Sequence, residues 1–294
     1  MTTDRTARTP APVSSGIGRA VGGAFRLMVW RPGYKVAAAV WSLQILIFAY
    51  AINYAVVTTL PAEQVPPGLL AALQPEATGS YMLASIPVYG APVFIIVGAM
   101  MTASEYRWGA LQTLLARFSN RTSFLVGRWI SLISLTAIVT VLSIVLSVLA
   151  SVIIALMLDK PVTFPPFTEY TVEFLAGALM AMALATCGFF LGVLTRNVMA
   201  AAAIGIAWTI GVETLAVGSL AEILPLFETL RSGLLTINAG SLSTAIAEST
   251  GLDVSGTFGA TTTVDGGLAA VILGIWTLTA LAGSIFLFRR RDVS

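Results

Sequence analysis

The chain has 294 residues, 57% hydrophobic and only 10% charged, with a formal net charge of +2. Soluble domains carry about 25% charged residues, so the composition predicts an integral membrane protein, and the roughly 10-residue alternating segments of a transmembrane barrel are absent. With no histidine and one cysteine, Cys187, the chain cannot build a His-based metal site, a Ser–His–Asp triad, a Cys–His pair or an internal disulfide.

The first 15 residues are polar and rich in Pro, Ser and Thr. They lack the apolar core of a signal peptide and read as a short disordered tail, leaving 16–294 as one membrane domain. In SGIGRAVGGAFRLMVWRPGYK, helical spacing gathers Ile17, Val21, Ala24, Phe25 and Met28 on one face. Arg19, Arg26 and Trp30 fall opposite. This pattern predicts an N-terminal interfacial helix with its basic face toward lipid head groups. The RPG at 31–33 then turns the chain into the membrane.

Six stretches reach the roughly 20 apolar residues needed to span a bilayer. They cover 36–57, 82–103, 124–157, 172–194, 198–219 and 266–288. The third is long for one crossing, so it tilts or runs on beyond the membrane. Fourteen of the sixteen basic residues fall on one side: the N-terminal region, the 104–128 segment, Arg196 and the C-terminus. Only Lys160 and Arg231 fall on the other. The positive-inside rule therefore predicts that both termini are cytoplasmic. Ten of the fourteen acids take the opposite side, Glu173 among them at the outer boundary. This asymmetry is topological and implies no nucleic-acid partner.

The first cytoplasmic loop, SEYRWGALQTLLARFSNR at 104–121, interrupts the apolar sequence with charge. A helical wheel puts Trp108, Leu111, Leu114, Leu115 and Phe118 on one side, and Glu105, Gly109, Gln112, Thr113, Ala116 and Arg117 on the other. Small side chains let another backbone approach, and charges at the two ends can set register. Two readings fit: a docking helix for a cytoplasmic partner, or an interfacial helix that only anchors the loop.

On the outer side, 58–80 is rich in Pro and Gly, and 220–265 is the longest non-spanning segment. Its EILPLFETLRSGLLTI is too short to span and predicts a short re-entrant or interfacial helix. The following STGLDVSGTFGATTTVDGG reads as an exposed loop. Glu213 is the one ionisable residue placed well inside a span, roughly 22 Å from residue 198 at 1.5 Å per residue. An intramembrane charge defaults to a functional role: lining a translocation path, binding a cation or pairing with Arg231. The competing reading is a hydrated carboxylate near the outer surface. Small-residue stripes at Gly177, Ala181, Ala185 and at Ala203, Ala207, Gly211 suit close helix packing, inside one chain or between two. Cys187 reads as another small packing residue. Aromatic belts account for most of the membrane Trp and Tyr residues, such as Trp41, Tyr50, Tyr54, Trp208 and Trp276. No GxxxxGK[ST] phosphate loop occurs.

This layout resembles the permease subunit of ABC-2 type ABC transporters over nearly the whole chain from about residue 15. The most specific part is Glu105-x-Arg107-x-Gly109-x-Leu111, then Leu114, Leu115, Arg121 and Gly127-Arg128. It is similar to the family's E-x-x-x-G-T-L-x-x-L-L…R…K loop. Phe118 and Ser119 stand in the region of the family's usual Pro, and Arg128 replaces the commoner Lys. The tail from Phe288 through Arg289, Arg290, Arg291 and Asp292 is similar to the family's F-x-R-R-D ending.

The resemblance implies an all-α fold with a cytoplasmic coupling helix and a partly helical outer loop before the last span. It implies a separate cytoplasmic ATPase that carries ATP and Mg, and a second permease chain, identical or different. No cofactor and no catalysis are expected in this chain. The residues it marks for docking are Glu105, Arg107, Gly109, Gln112, Thr113, Arg117 and Arg121, with Glu213 as a candidate for the translocation path. The expected activity is ATP-driven export of a hydrophobic or amphipathic compound across the plasma membrane. The alternative is an ATP-independent secondary transporter or channel. An intramembrane enzyme and a non-transporting anchor are weaker readings.

Overall fold

The computed structural model describes residues 15–66, 68–107, 121–217, 220, 225–252 and 259–290. Every regular element among the described residues is helical. Among the described residues six helices are long and apolar enough to cross a membrane: Pro32–Thr59, Pro75–Tyr106, Thr122–Met157, Phe167–Thr195, Val198–Val217 and Gly266–Arg290. The chain is an all-α, multi-pass membrane protein. Six crossings bring the chain back to its starting side, which we call the termini side of the bundle.

The span ends differ from the hydropathy reading mainly in the second span, which begins at Pro75 rather than near residue 82. Its first turns, Thr78–Ser85, are wholly buried, and their Thr, Gly and Ser dilute the apolar signal. The third-span helix, Arg121–Met157, has 37 residues. At 1.5 Å per residue that is about 55 Å, against a hydrocarbon core of about 30 Å, so it runs on past the membrane.

The second and fourth spans form the centre. Of the second span's membrane stretch 83% is buried, and 56% of the fourth's, against 22–28% for the other four. They meet backbone to backbone. A Cβ on Gly98 would overlap the Ala185 carbonyl, one on Gly188 the Ile95 carbonyl, and one on Gly192 the Thr102 hydroxyl. Dispersion and close packing hold helices together where lipid competes with every apolar contact. The predicted stripe Gly177, Ala181, Ala185 is buried in this contact zone. The stripe on the fifth span is not an internal contact: Ala203 and Ala207 are exposed, and nothing lies within 4 Å of a Cβ on Gly211.

Three stretches of span are π-helical: Ile45–Ala51, Ile86–Gly90 and Ala207–Val217. Their wider turns bring residues five apart into register, as in the Thr214 hydroxyl donating to the Thr209 carbonyl at 2.9 Å. Trp41 and Tyr50, each 2% exposed, belong to the core and not to an interfacial belt. The Trp41 indole donates to the Ser143 hydroxyl of the third span at 2.8 Å.

The N-terminal helix, Ser15–Trp30, packs along the start of the third-span helix. Ala20, Ala24 and Met28 are buried there, and a Cβ on Gly127 would lie 2.5 Å from that of Ala20. Ile17 and Phe25 stay exposed, so the predicted apolar face is divided between protein contact and the membrane boundary. On the far side, Pro225–Arg231 and Leu235–Ser249 are helical. The second is buried from Leu235 through Thr244, so the single short helix expected over 222–237 is instead two, broken at 232–234, with the second running on into the bundle.

Gly98→Ala is expected to lower the thermal unfolding midpoint in detergent, since overpacking costs about 1–3 kcal/mol. Gly22→Ala, with open space around it, should be neutral or raise the midpoint by replacing an interior helical Gly. Equal midpoints for the two variants would contradict the second–fourth span contact.

Candidate functional site

The chain's strongest charge constellation sits at the termini side, where the second span ends and the third begins. Pro32 opens the first span at its N-terminal position. A residue before proline is driven to an extended backbone, and Arg31 has φ −79° and ψ 124°. The N-terminal helix therefore breaks at Arg31 and turns its guanidinium toward the end of the second span. There Arg31 Nη2 donates to Glu105 Oε1 at 3.0 Å. Arg128, from the third-span helix, contacts Glu105 Oε2 through Nη1.

Glu105 is 1% exposed and Arg128 4%. Arg128 Nη1 also donates to the Met101 carbonyl, and its guanidinium lies 4.7 Å over the Phe124 ring. Phe124 in turn stacks on Phe288 of the sixth span, ring centres 6.4 Å apart. One carboxylate thus joins the first-span junction and the second and third spans directly, with the sixth added through the aromatic pair. A buried ion pair is costly to break, because the partner left behind is an uncompensated charge.

The resemblance marks Glu105 for docking; its neighbourhood among the described residues is an internal one. With its oxygens on Arg31 and Arg128 and almost no exposure, it does not present itself to a partner. It fixes the base of the loop. Arg107 ends the second-span helix and Arg121 opens the third, so both border the loop at its roots. Gly109, Gln112, Thr113 and Arg117 lie outside the described residues, as does the wheel's apolar side from Trp108 to Phe118. Arg128, noted in the sequence only as a replacement for Lys, is the buried partner of Glu105.

Glu213 is fully buried and already engaged. Its Oε2 accepts both the Thr236 backbone N–H and the Thr236 hydroxyl, each at 2.6 Å. Its Oε1 accepts the Trp208 indole N–H at 2.6 Å. Trp208 and Glu213 are five residues apart, and the π-helix stacks them. Thr236 lies in the first turn of the helix Leu235–Ser249. A helix start leaves N–H groups without internal partners and carries a partial positive charge, so the carboxylate acts as a cap supplied from another span. Glu213 is neither the hydrated surface group nor the Arg231 partner considered from sequence. Arg231 instead donates to the Thr261 hydroxyl at 3.5 Å.

Glu173, assigned to the outer boundary from sequence, is buried in the protein as well, 2% exposed, six residues from the outer end of the fourth-span helix. It accepts the Ser80 hydroxyl on Oε1 at 3.2 Å. Its Oε2 has no hydrogen-bond partner among the described residues. The carboxylate fills the space a side chain on Gly79 would take. Ser80 is the third residue of the helix Thr78–Ser85, so this carboxylate also meets the first turn of a helix, here through a serine hydroxyl. The readable signal was Gly79-Ser80 beside a helix start, hidden because the hydropathy boundary placed both residues in a loop.

Glu105→Gln and Arg128→Met are each expected to cost about 3–5 kcal/mol of stability, because one buried charge loses its partner. The double variant should cost less than the sum, measured by thermal unfolding in detergent. Strict additivity would contradict a direct pair. Glu213→Leu should lower the midpoint more than Glu213→Gln, since each buried donor left unsatisfied costs about 1–3 kcal/mol. Equal midpoints would count against the capping role.

A family model described as a protein of unknown function (DUF2705) matches residues 44–294. No curated protein matches the chain. The matched region runs from the first span to the last residue and contains Glu105, Arg128, Glu173 and Glu213, so the chain belongs to the DUF2705 family.

Proposed function

We propose that the chain is the membrane-spanning permease subunit of an ATP-driven ABC-2 type exporter in the plasma membrane. Its termini are cytoplasmic, in line with the fourteen-to-two distribution of basic residues. The observation that carries the reading is the buried Arg31–Glu105–Arg128 cluster. It secures both roots of the 108–120 segment, Glu105 at the entry and Arg128 at the exit. A displacement of that segment is thereby delivered to the first, second and third spans together.

A separate ATPase carries ATP and Mg, in keeping with a sequence that has no phosphate loop of its own. It docks on the small, polar side of the loop through Gly109, Gln112, Thr113 and Arg117, with Arg107 and Arg121 at its edges. Glu105 is a positioning residue that ties the end of the second span to Arg31 and Arg128. Closure of two ATPases moves the loops as rigid bodies and opens a path between two permease chains. The substrate is hydrophobic or amphipathic. A second reading, ATP-independent transport, draws on Glu173, whose buried Oε2 has no partner among the described residues and offers a place for a coupling ion.

Co-purification of the tagged chain from its native host in mild detergent tests this. Wild type is expected to bring down a cytoplasmic ATPase. Arg117→Glu should lose it with no change in the unfolding midpoint. Glu105→Gln should retain it while transport per ATP falls. Well-folded wild-type chain recovered without any ATPase, with flux abolished by Glu173→Gln, would replace the exporter with the ATP-independent reading.

A further inference from the structure

Between the second, fourth, fifth and sixth spans lies a cavity of about 370 Å³, inside the roughly 300–1,000 Å³ range of small-molecule sites. Its walls include Phe190, Trp208 and Trp276, with Leu235 contributed by the buried short helix. Small residues make the room. Gly205 lets the fifth span rest on Ile95 of the second, a Cβ there falling 2.5 Å from the Ile95 side chain. Gly283 lets the sixth span close on the Phe190 ring, 2.9 Å from where its Cβ would be.

The hydrogen-bonding state of the walls defines the occupant. The Trp208 N–H is given to Glu213 at 2.6 Å. The Trp276 N–H is given to the Gly233 carbonyl at 2.9 Å, and the Thr209 hydroxyl to the Gly205 carbonyl at 2.9 Å. Both indoles therefore turn apolar faces to the cavity with their polar edges satisfied elsewhere. The polar groups left are the Thr279 hydroxyl, which is exposed, and the Cys187 thiol. A ligand carrying amides, hydroxyls or charge into this space would leave them unpaired, at about 1–3 kcal/mol for each group. An alkyl chain incurs no such cost.

Depth adds a second argument. Trp208 lies ten residues into the fifth span from Val198, about 15 Å at 1.5 Å per residue and so near the middle of a core about 30 Å thick. Ile204 is 48% exposed and Trp208 45%, so the cavity opens sideways at that level. What lies there in a bilayer is the tail of a lipid, below the reach of head groups. We propose that this cavity binds one acyl chain of a membrane lipid, inserted laterally past Trp208 and held by contact with the Phe190, Trp208 and Trp276 rings. The proposal rests on the membrane fold and is independent of any ATPase partner.

The test is photolabelling of the full chain in lipid nanodiscs made with a phosphatidylcholine carrying a diazirine midway along one acyl chain. Adducts are mapped by mass spectrometry. Cys187 and Phe190 are expected to be labelled along with the outward faces at Leu142 and Leu149. Gly283→Leu drives the Phe190 ring into the cavity. Thr279→Trp lays an indole across the opening from an exposed position where folding is not at stake. Both are expected to abolish labelling of Cys187 and Phe190 while Leu142 and Leu149 keep theirs. Should Gly283→Leu fail to fold, Thr279→Trp decides alone. Wild-type labelling confined to the outward faces would overturn the proposal, showing the cavity to be empty or covered by another chain. Undiminished labelling of Cys187 and Phe190 in the folded variants would overturn it as well.

Discussion

The second span holds the molecule together, and what allows it is the absence of side chains where it crosses the fourth. Gly98 and Gly188 each press against a carbonyl of the opposing helix. In a bilayer, apolar side chains gain little by leaving lipid for protein, so close backbone approach and the dispersion it brings have to do the joining. The other spans are arranged around this pair. The N-terminal and third-span helices flank it on one side, and the fifth and sixth spans enclose the cavity on the other.

Both ends of that spine are secured by a carboxylate. At the far end, Glu173 of the fourth span receives Ser80 at the helix start. At the termini side, Glu105 of the second span receives Arg31 and Arg128. Glu213 repeats the device on the buried short helix, with Thr236 as the donor. Where no water can solvate polar groups, helix starts and acids must satisfy one another inside the protein. Glu213 therefore solves a problem created by beginning a helix within the bundle, and Glu173 takes a serine hydroxyl in the room left by Gly79. Glu105 differs: its partners are full charges, and it lies at the foot of a loop.

That difference is what gives the Glu105 cluster its place in the proposed exporter. A loop whose two roots share a buried ion pair transmits force as a unit, whereas a loop on separately mobile helices dissipates it. The lipid-chain cavity lies in another quarter of the bundle and has no charged wall. Trp208 connects it to Glu213 and hence to the capped short helix, so occupancy of the cavity and the position of that helix share one hydrogen bond.

Much of the architecture was legible in the amino-acid sequence because hydropathy and charge act over whole segments. Twenty apolar residues in a row have one stable solution in a bilayer, and the count of six spans follows from that alone. The amphipathic N-terminal helix and the long third span were readable for the same reason. Partners of single side chains were not. Glu105 looked like a docking group because its spacing from Arg117 is local, while its actual partners lie 74 residues before it and in the helix after the loop. Glu173 looked peripheral because Thr, Gly and Ser obscured the true start of the second span. The i+4 stripe on the fifth span suggested packing inside one chain or between two, and none of the described residues covers Gly211. Segment-level chemistry is determined by sequence because each residue's transfer energy adds independently. Which carboxylate meets which helix start was decided only by tertiary structure, because it depends on where two backbones approach closely enough to leave a gap.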